Sequence, residues 1–154
     1  MAQAITTKTK AAKNYTQTVG RRREAVARVR LYNTPTGKAE INGVEYKKGD
    51  FIVNGKPVTE YFKFQSFGPT YAKILNDTNS RDKFIISAKV AGGGLFGQMD
   101  AVVHGIARAL DKIDSNLHQT LKDNGYLTRD SRTRERRKVG NAGKARRKKS
   151  SPKR

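Results

Sequence analysis

The chain has 154 residues and carries 33 Lys or Arg against 13 Asp or Glu, a formal net charge of +20. It has no Cys and only two His, which excludes disulfides and the common structural zinc sites and fits a reducing, cytoplasmic setting. No run approaches the roughly 18 consecutive apolar residues of a membrane span and no apolar stretch follows Met1, so neither membrane insertion nor secretion is expected.

Residues 1–19 are rich in Ala, Thr and Lys, contain no acid, and lack the Arg and Ser of an organelle transit peptide. They read as a flexible arm that faces RNA. Residues 19–32 alternate, with Ala25, Ala27, Val29 and Leu31 on one side and Glu24, Val26, Arg28 and Arg30 on the other. Period two predicts a single strand with one face in the core and a partly cationic face outward. Residues 33–37, NTPTG, predict a turn and residues 38–46 a second, antiparallel strand.

Asn42-Gly43 and Asn54-Gly55 flank residues 50–53, which predicts a further hairpin excursion, a scaffold or a partner surface. Short helices are expected over 58–64 and 69–75. Their aromatics, Tyr61, Phe62, Phe64, Phe67 and Tyr71, either pack in the core or stack on bases. Core packing is the expectation, because the domain has few other large side chains.

Residues 83–91, KFIISAKVA, predict a central strand, and the glycine-rich stretch 92–97 leads into a helix over 98–112. Met99, Val102, Val103, Ile106 and Leu110 recur at helical spacing on its inner side, while Asp100, His104 and Arg108 form an i, i+4 row on another. A second helix is expected from Asp114 or Ser115 to Asn124, burying Leu117 and Leu121 and ended by Gly125, with Tyr126 and Leu127 docking the chain end.

Three units result: an arm at 1–19, one α+β domain at 20–127 and a basic tail at 128–154, and the middle of the chain, residues 31–128, carries only 12 Lys or Arg against 10 acids, net +2. Residues 129–154 hold 13 Lys or Arg against Asp130 and Glu135, with only Val139, Ala142 and Ala145 apolar. So little apolar surface cannot offset the entropy of folding alone, so the tail needs a polyanion to order it. Extended, its 26 residues reach up to about 85 Å, at roughly 3.3 Å each.

A glycine loop between strand and helix is an arrangement in which backbone N–H groups receive phosphate, or simply a tight structural crossover. No Gly-Lys-Ser/Thr follows it, so bound nucleotide is not expected. With no Cys, no paired His and no GxSxG elbow, catalysis, metal and cofactor are not expected either. Arg21, Arg22, Arg23, Arg28 and Arg30, together with the tail, have a common explanation in a polyphosphate partner, because the guanidinium is a planar, permanently charged fork for phosphate.

GRRREAVARVRL at 20–31, NGKPVTEYF at 54–62, GGGLFGQMDAVVHGIARAL at 92–110, LTRDSRTRERRKVG at 127–140 and the terminal Lys153-Arg154 resemble, in order, small-subunit ribosomal protein nine of bacterial type. The resemblance implies an α+β sandwich, a small mostly antiparallel or mixed sheet with helices packed on it, like domain two of ribosomal protein five, followed by a long basic tail. It implies a place in the head of the small subunit among neighbouring head proteins, without homo-oligomers. The implied partners are small-subunit rRNA and peptidyl-site tRNA. Arg21 to Arg23, His104, Arg108, Arg129, Arg132, Arg134, Arg136, Arg137 and Lys138 would lie on rRNA, and Lys153 and Arg154 would contact the tRNA. Lys144, Arg146, Arg147, Lys148 and Lys149 join the rRNA set by their charge, as do Arg28 and Arg30.

The chain ends Ser150-Ser151-Pro152-Lys153-Arg154 where the family's end resembles Phe-Ser-Lys-Arg, so only the charged part of that contact carries over. Residues 43–50 and 1–19 look longer than the family's usual pattern. A rival with the same composition is a free nucleic-acid chaperone or nucleoid protein, and one from another class is a phosphotransferase using the glycine loop.

Overall fold

The computed structural model describes residues 15–134, 136 and 137. Tyr15–Arg22 (β1) and Ala25–Tyr32 (β2) form an antiparallel hairpin, registered from Tyr15 opposite Tyr32 to Arg22 opposite Ala25. The period-two reading of β2 holds, with Ala25, Ala27, Val29 and Leu31 buried and Val26 and Arg28 exposed.

The single strand expected over 19–32 is instead two strands. The chain reverses at Arg23-Glu24, where Arg23 takes φ +50 in the left-handed region, so the turn carries none of the Gly, Asn or Pro that marks such turns in a sequence. β1 also reaches back to Tyr15, into the expected arm. Its ladder with β2 orders residues whose side chains offer little to bury.

The main sheet adds Phe51–Val53 (β5), Lys56–Pro57 (β6) and Ile85–Ala91 (β7) in the order β1-β2-β7-β5-β6. β7 is central as expected, antiparallel to β2 and parallel to β5, which makes the sheet mixed. The hairpin expected here forms, β5 with β6 across Asn54-Gly55, and it is built into the main sheet through the β5–β7 pairing. The partner expected for β2 over 38–46 forms a separate hairpin, Lys38–Ile41 (β3) with Val44–Lys47 (β4). Asn42 at φ +55 and Gly43 at φ +81 close it, the paired left-handed geometry that an Asn-Gly turn supplies. β2's free edge goes to β7, whose seven apolar-rich residues bury more than four residues of β3 would.

The helices are Val58–Tyr61 (α1), Phe67–Asp77 (α2), Leu95–Ile113 (α3) and His118–Asp123 (α4). α3 begins three residues before the expected start, because Gly94 in extended conformation serves as its N-cap. The helix expected from 114 opens as a 3-10 turn, Ser115–Leu117, in which the Asp114 carboxylate accepts the Asn116 N–H at 3.0 Å. Gly125, at φ +73, follows the helix end as predicted.

α3 lies across β1 and β2 and buries Met99, Val102, Val103, Ile106 and Leu110, each side chain contributing about 1.5–3 kcal/mol. Of the aromatics, Phe62 and Phe67 are core, Tyr61 and Tyr71 are half-buried against it, and Phe64 stays 58% exposed. On the opposite sheet face, Ile41 of β3 joins Tyr32, Ile52 and Ile85 in a second, small cluster. The β3–β4 hairpin thus covers one end of that face, and Arg28 and Lys89 lie exposed on the remainder.

Candidate nucleic-acid interface

The row Asp100, His104, Arg108 predicted on α3 faces β1, and each member takes one partner on that strand. Asp100 Oδ2 receives Arg22 Nε at 3.3 Å, His104 Nδ1 receives the Arg21 backbone N–H at 3.5 Å, and Arg108 donates to the Val19 carbonyl. The fit follows from geometry: a four-residue helical step of about 6 Å matches roughly two residues of strand. Thr18 Oγ1 extends the seam by donating to the Gly105 carbonyl at 2.7 Å.

The start of the tail is bound to the same seam. Asp130 accepts Arg22 Nη2 at 2.9 Å and Arg132 Nη2 at 2.6 Å. Hydrogen bonds from Arg132, helped by the charges of Arg132 and Arg22, hold the Asp130 carboxyl well below the usual carboxylate range. Burial, and next the charge of Arg108, push the His104 imidazole down from its ordinary value, against an upward pull from a hydrogen bond with the Leu127 backbone. Arg129 adds a further downward push.

Arg21, Arg22, Asp100, His104, Tyr126 and Arg129 line a groove of about 230 Å³ at this junction. Of the cations expected to meet phosphate here, Arg22 is 15% exposed and engaged by two carboxylates, although its Nη1 is buried without a hydrogen-bond partner. Arg108 is anchored on a carbonyl. Arg21 and Arg129 are exposed, as is Arg23 in the β1–β2 turn.

Arg28 and Arg30 stand on the other side of the sheet, so the predicted cations divide between two faces. Arg30 Nε donates to Gln17 Oε1 at 3.1 Å, and its guanidinium sits 4.8 Å from the centre of the Tyr15 ring. Sequence reasoning missed Lys89, which lies directly opposite Arg28. Alternation within KFIISAKVA was the available signal, because Ser87 and Lys89 are its outward polar positions.

The glycine loop has a structural reason. Gly92 and Gly93 take φ +74 and +63 and lie so close to Glu24 and Ala25 that a Cβ at either would press on that backbone. Gln98 then closes the loop by donating to the Gly92 carbonyl at 3.0 Å while accepting from the Tyr61 hydroxyl at 2.9 Å.

Arg132, Arg134, Arg136 and Arg137 are exposed at the start of the tail. Lys138, Lys144, Arg146, Arg147, Lys148, Lys149, Lys153 and Arg154 lie outside the described residues. Among the described residues, no three His, Asp or Glu side chains gather to hold a metal ion, and no helix is long and apolar enough to cross a membrane.

Residues 20–154 match the family model described as ribosomal protein S9/S16. The chain is 43% identical over 122 residues to the small ribosomal subunit protein uS9 of Dehalococcoides mccartyi, spanning 79% of this chain and 83% of the relative. It is 41% identical over 131 residues to the protein of the same name from Maridesulfovibrio salexigens, spanning 85% of this chain and 91% of the relative.

Proposed function

Because the chain belongs to the ribosomal protein S9/S16 family, and is thus a structural, non-enzymatic protein of the small ribosomal subunit working in the cytoplasm, we propose that it holds folded rRNA through phosphate contacts and peptidyl-site tRNA through its tail tip. The observation that carries this reading is the division of charge between a near-neutral body and strongly basic ends. The body supplies shape and position in the head of the subunit. The ends neutralise packed phosphates.

Arg21, Arg23, Arg28, Arg30 and Arg129 offer exposed or half-exposed guanidinium groups to rRNA from the domain, and the cations from Arg132 onward do so from the tail. Arg22, His104 and Arg108 serve the interface indirectly, by fixing β1 and the tail root on α3. Specificity comes from fit to RNA shape, since polycationic segments read backbone and not base edges. Lys153 and Arg154, at the far end of a tail with long reach, meet the tRNA.

The test is the salt dependence of binding to small-subunit rRNA. With six to eight tail charges on phosphate, deleting residues 129–154 lowers the magnitude of the log–log slope by about 4 to 6. An unchanged slope refutes tail neutralisation.

A further inference from the structure

Arg28 and Lys89 face each other across the β2–β7 ladder on the sheet face opposite α3. Like charges directly opposite on one face of a sheet repel at close range and destabilise the pairing. Here Arg30 adds a third cation one pleat further along β2. Among the described residues none of the three forms an ion pair.

These three side chains, with Ser87, Asn42 and Asn54, line a recess of about 340 Å³ that contains no acid. Its wall is the β3–β4 turn, so the cations stand in a cleft and not on an open plane. Arg30 is held in orientation by Gln17 and the Tyr15 ring, which lowers the entropy lost when it binds. The Asn54 amide is taken up by Tyr61 and the Val90 backbone, but a cleft of unopposed, partly ordered cations with the Ser87 hydroxyl and the Asn42 amide at its rim has the chemistry of a phosphate receptor.

We propose that this recess is a second phosphate-binding site, taking the RNA backbone on the face opposite the groove beside α3, so that the domain bridges two RNA segments. Two cations across the ladder and one along it form a short row of charge, which suits consecutive phosphodiesters better than a single small anion. The repulsion between Arg28 and Lys89 is then relieved only in the complex. The proposal rests on the rRNA reading above and adds a place to it.

The test is Lys89→Glu in the full-length chain, beside Lys89→Gln and a surface control, Lys122→Glu. Converting the repelling pair into an attracting one raises the melting temperature of the free protein, while affinity for small-subunit rRNA falls below that of the control. The magnitude of the salt slope drops by about 1.5 for Lys89→Glu and about half that for Lys89→Gln, one phosphate contact being worth roughly 0.7–0.9. Should Lys89→Glu misfold, Lys89→Gln carries the same comparison.

Binding by Lys89→Glu equal to that of Lys122→Glu overturns the recess site while leaving the rRNA reading in place. Absence of rRNA binding by the unaltered chain overturns that reading instead. Pyrophosphate in a parallel arm separates the two phosphate sources. If it stabilises the unaltered chain but not Lys89→Glu, and rRNA affinity is the same in both, the recess serves a free phosphate ligand and the RNA proposal is overturned.

Discussion

Gly20 of β1 and Gly105 of α3 stand backbone to backbone where the strand crosses the helix. A Cβ at Gly20 would fall within the envelope of the Ala101 carbonyl oxygen, and one at Gly105 would lie 2.6 Å from Val29 Cγ2. This contact lets the Thr18, Arg21 and Arg108 hydrogen bonds close the seam, so it sets where the cations at the strand end are held.

Gly20→Ala is therefore expected to destabilise the full-length chain by about 1–3 kcal/mol, because backbone on both sides resists the added methyl. Urea unfolding checks this. Unchanged stability would mean that β1 can lift from α3 without penalty.

His104 gives the seam a pH dependence of definite sign. Burial first, then the positive charges of Arg108 and Arg129, lower its folded-state value below the ordinary 6.5, outweighing its backbone hydrogen bonds to Leu127 and Arg21. The unfolded chain thus binds the proton more readily. The His104 contribution to stability is complete above about pH 6.5 and is lost as the pH falls toward the lowered value. His104→Asn should flatten that decline, measured as the difference between the two proteins' stability curves from pH 7.5 to 5.

The seam also shows what was legible in the sequence. Period two in Ala25, Ala27, Val29 and Leu31 and the helical spacing from Met99 to Leu110 gave the layers, because burial of a single face imposes those periods. The β1–β2 reversal was not legible, since Arg23 adopts a glycine-like conformation without being glycine. Nor was the parallel β5–β7 pair, a non-local choice decided by competition for β7's edge. The i, i+4 row was legible with two uses open, toward phosphate or as an acid–base pair, while its seating on β1 was not, because the Arg22 guanidinium on Asp100, the Arg21 amide on His104 and Arg108 on the Val19 carbonyl depend on the non-local packing of α3 against that strand.

At the other side of the tail root, the Tyr126 hydroxyl donates to Asp77 Oδ2 at 2.8 Å and ties the chain end to α2. Burial, followed by the Asp77 hydrogen bond and charge, pushes its value up from 10.0 to about 12. The unfolded chain loses this proton first, so the contribution is complete below pH 10 and is lost as the pH rises toward 12. Tyr126→Phe should be less stable than the parent at pH 8, with the difference shrinking across that interval.

Asp130 is the link between tail and domain, and its pairs with Arg22 and Arg132 restrain the chain just where trypsin would cut. Asp130→Asn should speed tryptic cleavage after Arg129 and Arg132 while leaving the melting temperature nearly unchanged, since the acid sits on the surface. Equal cleavage rates would show that these ion pairs do not restrain the tail.

Removal of Lys153 and Arg154 separates docking from tRNA contact. The domain and 11 of the 13 basic residues in 129–154 remain, so subunit assembly and most of the salt slope should be preserved. On the proposed reading two charge contacts to tRNA are lost, each on the scale of a surface ion pair, roughly 0–1 kcal/mol, so tRNA retention at the peptidyl site should fall several-fold and not be abolished. Filter binding of tRNA to purified truncated and full-length small subunits measures this directly. Equal retention by both would place the tip elsewhere, while failed assembly would mean that the last two residues belong to the rRNA contact.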